Sequence, residues 1–183
     1  MNHTVISTDQ DHKPAILQKI PPYNVFFIYT HGNPTGFVDC FGSTADPTEF
    51  LNATEDIAPA VGNKSASQPP YNFVHIDGCN TAGTIEFPDP TIANSFGITS
   101  SSTNRAFLGW QTELLINENN RQWTQRVWNS LKNRSTIFDA VVASTNAGEP
   151  QDENGNAAMW DIIGDLRTKV HGVYLGSGTQ WYR

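Results

Sequence analysis

The stretch "NVFFIYT", residues 24–30, is a near-continuous apolar run set between a polar, proline-interrupted start and a polar turn. Such a run suits a central strand of a parallel sheet, buried on both faces. The pattern before it, residues 1–23, predicts an extended polar lead-in. After the turn-rich stretch that follows, Asp46 as cap, Pro47 at the first helical position and Glu49 closing a capping box predict a helix from Pro47 to about Val61. "GNKSASQPP" then breaks the chain as a loop, and "YNFVHID", residues 71–77, predicts a second strand. "DPTIANSFG" predicts a short helix ending on Gly97, and "NRAFLGW" a third strand. Trp123, Val127 and Leu131, four residues apart in "NENNRQWTQRVWNSLKN", form the stripe of an amphipathic helix. "STIFDAVVAS" predicts another helix with Ser135 as cap, "NAGEPQDENGN" a loop, and "KVHGVYLG" a closing strand. No internal repeat is visible. Strands alternating with helices predict an α/β three-layer sandwich with a mostly parallel central sheet.

Composition narrows this picture. The 183 residues suit one domain, and 38% hydrophobic with 16% charged residues describes a globular chain. A net charge of −7 without a Lys/Arg cluster argues against nucleic acid and anionic membranes as partners. No stretch approaches a membrane span and the first residues lack a signal-like apolar region, so a soluble chain is expected. The two cysteines, Cys40 and Cys79, are too few for a disulfide framework. Reduced, they would suit the cytoplasm, toward which the reading leans; paired with each other, they would suit secretion.

The chemistry gathers at strand ends. The first strand runs into His31-Gly32 and the second into Gly78-Cys79. In a parallel sheet both ends share one edge, where ligands bind in such folds. The 48 positions between His31 and Cys79 leave room for one crossover. An imidazole beside a thiol can take its proton and later protonate the leaving group. Gly32 lets the backbone approach a substrate carbonyl, and the N–H groups of Gly32 and Cys79 would form an oxyanion hole.

"FFIYTHG" and "FVHIDGCNTAG" resemble the two blocks shared by the caspase–haemoglobinase class of cysteine peptidases, a strand closing on His-Gly and another closing on a small residue and Cys. "GCNTAG" is similar to the corresponding block of the CHAT and gingipain-like branches, and "IIGDL" to a late Gly-Asp element of the latter. The resemblance implies a caspase-like domain over residues 24–183. It implies a cysteine endopeptidase with Cys79 as nucleophile, His31 as general acid/base, a peptide or protein as substrate, and no metal or organic cofactor. Asp77, two before Cys79, matches the metacaspase carboxylate that selects a basic P1 residue; Asp39 is a rival for that role. Family domains carry one or two strand–helix units before the His-Gly strand. Only 23 residues precede Asn24, so the domain is either minimal or flanked by further domains of a larger protein.

Other readings stand beside this one. Trp110, just past the third strand, would wall a substrate pocket or pack in the core. His75 and His171 read as structural, and Cys40 as structural or paired with Cys79. "THGNPTGF" is similar to an α/β-hydrolase oxyanion loop, but "DGCNTAG" fails the nucleophile-elbow pattern and only His171 would serve as base. A non-catalytic caspase-like binding or scaffold module is the remaining alternative.

Overall fold

The apolar run becomes β1 (Val25–Tyr29), in a computed structural model that describes residues 13–19, 25–38, 49–62, 71–84, 86, 88–115 and 117–170. The stretch Phe73–Asp77 is β5, buried at every position, and Ala106–Trp110 is β6, also fully buried. Both lie between neighbours in the sheet and are covered on two faces, which their unbroken apolar sequence requires. Among the described residues the main sheet runs β1-β5-β6-β7, with β7 at Trp160–Gly164. The first three strands are parallel and β7 is antiparallel to β6. The chain is thus mixed α/β with a mostly parallel central sheet.

Alternation along the strands divides the core. Phe26, Ile28, Val74, Ile76 and Phe107 face one layer, together with Ile16, Ile57, Ile92 and Phe96. Phe73, Leu108 and Trp110 face the other, against Trp123, Val127, Leu131, Ile137 and Val141. The first layer holds α1 (Lys13–Lys19), a π-helical turn (Ala53–Ile57) running into α2 (Ala58–Gly62), and α3 (Thr91–Ser95). The second holds α4 (Glu118–Lys132) and α5 (Ile137–Asn146). Trp123, Val127 and Leu131 are fully buried as their spacing predicts, each contributing about 1.5–3 kcal/mol of apolar burial. No helix among the described residues is long and apolar enough to cross a membrane.

Several predicted elements are corrected. The lead-in is not wholly extended: Lys13–Lys19 is helical, with Ile16 buried and Lys13 paired to Asp56 at 2.7 Å. The helix expected from Pro47 starts later. Phe50–Asn52 is a strand, β4, and Asn52 is the true cap, its side-chain oxygen accepting from the Thr54 and Glu55 N–H groups. β4 belongs to a small antiparallel sheet with β2 (Gly32–Asn33) and β3 (Gly36–Val38), in the order β2-β3-β4. The cap of α5 is Thr136, one residue beyond Ser135. "WDIIG" supplies β7, while most of the expected strand "KVHGVYLG" lies outside the described residues.

Candidate active site

The pairing of β1 with β5 is in register from Val25↔Phe73 to Tyr29↔Asp77, an offset of 48 positions. That is the spacing of His31 and Cys79, so continuing the ladder brings their backbones side by side. One ladder bond beyond the paired strands, Thr30 N–H to the Asp77 carbonyl at 3.0 Å, carries the alignment to the residue before His31. Beyond it the two segments touch. A Cβ on Gly78 would lie 2.7 Å from the Thr30 oxygen and 3.4 Å from the Gly32 nitrogen. A Cβ on Gly32 would lie 2.5 Å from the Thr81 methyl and 3.2 Å from the Cys79 oxygen. The glycines flanking His31 and Cys79 sit where the seam leaves no room for a side chain.

The Gly32 amide is not used by the small sheet. Val38 N–H donates to the His31 carbonyl at 3.0 Å, which makes Gly32↔Phe37 a non-hydrogen-bonded pair. The Gly32 N–H therefore points away from β3, and its nitrogen lies against Gly78. After Cys79 the chain turns sharply, with Asn80 at φ 53° and Gly83 at φ 88°. Thr81 locks this turn: its hydroxyl oxygen lies 3.1 Å from the Ile76 carbonyl and 2.9 Å from the Gly78 carbonyl, and it accepts from Trp110 N–H at 3.3 Å.

The two reactive side chains differ in environment. His31 is exposed. Cys79 is half-buried, packed against the α4–α5 side of the core, and is not in a disulfide. Cys40, expected to be structural or paired with Cys79, lies outside the described residues. The thiol accepts from Leu114 N–H at 3.2 Å, and its sulfur stands 3.8 Å from the Leu114 carbonyl. Burial pushes the Cys79 pKa up, opposed in part by the Leu114 N–H.

Two of the expected substrate contacts, Asp77 and Trp110, are buried. Asp77 is 1% exposed, and both its oxygens are taken. Trp110 Nε1 donates to one at 2.8 Å, and the Thr124 hydroxyl donates to the other. Burial raises its pKa to about 6 despite these two bonds. A carboxylate enclosed by an indole, a hydroxyl and the sheet cannot receive a substrate cation as it stands. Trp110 is likewise interior, its ring tilted against that of Trp123 with centroids 4.9 Å apart, and it ties Asp77 down; of its two readings, pocket wall and core packing, the buried one is what the fold shows. Asp39 and His171 lie outside the described residues.

His75 is structural. Its Nδ1 accepts from Trp128 Nε1 at 3.2 Å, and burial lowers its pKa to about 3. Tyr29 shares the face of Asp77 and Cys79, and burial, then the Asp77 charge, push its phenol pKa well up. Sequence reasoning missed three residues of this neighbourhood. Thr81 lay within the quoted Cys block but was given no role there. Thr124 was detectable as a hydroxyl beside Trp123 on the buried stripe of α4. Leu114 carried no local signal, because its role comes from backbone atoms. No group of three or more His, Cys, Asp or Glu is placed to hold a metal ion among the described residues.

Searches against protein-family models and curated protein sequences find no match for this chain.

Proposed function

We propose that this chain is a cysteine endopeptidase of caspase-like fold, acting through Cys79 and His31. The carrying observation is the β1–β5 register, whose offset of 48 matches the separation of the two residues and sets their backbones side by side. In the reaction, the Cys79 sulfur attacks the substrate carbonyl and its proton passes to His31. The tetrahedral oxyanion is met by the Gly32 and Cys79 N–H groups, and His31 returns the proton to the leaving amine. Water, activated by His31, then hydrolyses the thioester. Because Asp77 is enclosed, the proposal carries no preference for a basic residue at P1.

The test is intact-mass labelling with a panel of peptide acyloxymethyl ketones differing at P1, on the unaltered chain and on His31→Ala. Stoichiometric labelling at Cys79 that falls with His31→Ala supports the dyad. A second reading, a non-catalytic caspase-like binding module, is favoured by the engagement of the thiol with Leu114 instead of His31. Folded protein whose reduced Cys79 reacts with no member of the panel, even after prolonged incubation, would support that reading and overturn the first.

A further inference from the structure

Leu114 takes up the hydrogen-bonding capacity of the Cys79 thiol. Its N–H donates to Sγ at 3.2 Å, and its carbonyl stands 3.8 Å from the same sulfur. No hydrogen bond joins the thiol to His31. Leu114 is 7% exposed and belongs to the core cluster that contains Trp110 and Trp123, so its position is not that of a loose surface loop.

The segment around it, residues 111–115, crosses from β6 toward α4 and is fastened along its length. Gln111 N–H donates to the Met159 carbonyl at 2.8 Å, and the Thr112 carbonyl accepts from Asn80 N–H at 3.1 Å. The Thr112 hydroxyl accepts from Met159 N–H at 3.1 Å, and Leu115 N–H donates to the Gln151 carbonyl at 3.1 Å. The buried Asn120 side chain clamps both partners. Its Nδ2 donates to the Leu115 carbonyl at 2.6 Å and to the Gln151 carbonyl at 2.8 Å, and its Oδ1 accepts from Gln151 N–H at 2.8 Å.

We infer that residues 111–115 form a strap closed over the Cys79 thiol, and that the nucleophile is latent until the strap lifts. The inference rests on the peptidase reading and concerns the regulation of that site. Attack on a carbonyl needs a sulfur lone pair aimed at the substrate and a proton route to His31. With the strap down, the lone pair faces Leu114 N–H. Lifting it withdraws the Leu114 N–H from the sulfur and leaves the lone pair free for a substrate carbonyl.

The experiment measures native-state alkylation of Cys79 by iodoacetamide, resolved from Cys40 by peptide mapping. It uses the unaltered chain, Asn120→Ala and Thr112→Val, each shown to be folded by near-ultraviolet circular dichroism. Asn120→Ala removes one bond made directly to the strap, at the Leu115 carbonyl, and the two that fix Gln151, whose carbonyl accepts from Leu115 N–H; it is expected to speed alkylation at least about tenfold. Thr112→Val removes one, keeps the side-chain shape, and is expected to give a rise of about threefold. It also keeps the test decisive if Asn120→Ala does not fold. Equal rates in the unaltered chain and the folded variants would overturn the strap.

The same ratios are expected in a His31→Ala background, because covering the sulfur does not depend on the imidazole. Failure of the dyad would appear as ketone labelling indifferent to His31, with the alkylation ratios intact. Failure of the strap would appear as equal alkylation rates, with the dependence on His31 intact.

Discussion

β1 and β5 lie side by side in strict register, yet they release the chain into different surroundings. At the end of β1, His31 is exposed and the backbone runs on without a left-handed residue into the small sheet β2–β4. At the end of β5, Cys79 is half-buried, followed by Asn80 at φ 53° and covered by the segment around Leu114. One strand end offers an imidazole side chain to solvent; the other holds its thiol in a locked turn. The difference teaches that pairing fixes where the two residues meet, whereas the turn and the segment around Leu114 fix what surrounds the thiol. The largest expected effect tests the meeting point. His31→Ala should slow ketone labelling of Cys79 about a hundredfold or more, the usual size of a general-base contribution. A change under threefold would remove His31 from the chemistry.

The seam itself is the next place to press. Gly78→Ala drives a Cβ to 2.7 Å from the Thr30 carbonyl oxygen, which belongs to backbone and cannot rotate away. We expect a loss of about 2–3 kcal/mol in chemical denaturation, at the upper end of ordinary overpacking. Gly32→Ala meets the Thr81 methyl at 2.5 Å, but Thr81 is held by its hydroxyl bonds and also has little freedom. Its cost should be about 1–3 kcal/mol. If both variants kept full stability, the close approach of the two strand ends would be wrong.

Much of this arrangement was legible in the chain, and the exceptions have physical causes. β1, β5, β6 and α4 follow from long apolar runs or a clear helical stripe, signals that tertiary contacts reinforce. The start of α2 was misplaced because Asp46-Pro47 and Glu49 make a good local helix start. Phe50–Asn52 instead pairs with β3, a non-local contact that no window displays. β7 was missed because it is a short strand at the edge of the sheet among the described residues, and only its middle residue is buried. Ser135 and Thr136 are adjacent hydroxyls, and only the geometry shows which reaches the Asp139 N–H. For the site, the meeting of His31 and Cys79 beside two glycines could be read because each strand and the residues that end it are local in sequence. Asp77 was placed correctly beside the cysteine but given an open pocket, since its partners Trp110 and Thr124 lie 33 and 47 residues away.

Two residues back from Asp77 on the same strand, His75 supplies a pH test of the covered end. The ring lies among Phe27, Phe73, Trp123 and Trp128, and burial depresses its pKa from 6.5 to about 3. The unfolded chain therefore binds a proton below pH 6.5 that the folded chain refuses until pH falls to about 3. Stability from this group is present above pH 6.5 and is lost as pH falls through that window, by about 2–3 kcal/mol at pH 4.5. His75→Phe should remove that loss. Near pH 7 the variant should stay within about 1 kcal/mol of the unaltered chain. It sheds a buried Nε2 that has no partner among the described residues, but takes the acceptor from Trp128 Nε1. Asp77 pulls the other way, because its raised pKa favours the fold as pH drops through 6 toward 3.8. Both proteins keep Asp77, so the difference between them isolates the histidine. Parallel stability curves from pH 7 to 4.5 would show that His75 is not shielded as described.

The smallest effect separates the two strand ends most finely. Asn80 occupies the left-handed region directly after the thiol, a conformation that costs an ordinary L-residue about 1–2 kcal/mol and that Asn and Gly tolerate. Asn80→Ala should therefore lower stability by about 1 kcal/mol, while Asn80→Gly should stay within about 0.5 kcal/mol. At the other end, Asn33 has an ordinary φ, and its side chain accepts from the Thr35 N–H and hydroxyl on the surface. Replacing Asn33 with Ala should cost about as much as one exposed turn bond, and Gly should not rescue it. The contrast lies in the rescue. If Gly restores stability at position 80 and not at position 33, the strain belongs to the cysteine turn alone. That turn can then be altered without disturbing the histidine, which is what the proposed dyad and its strap require of the two strand ends.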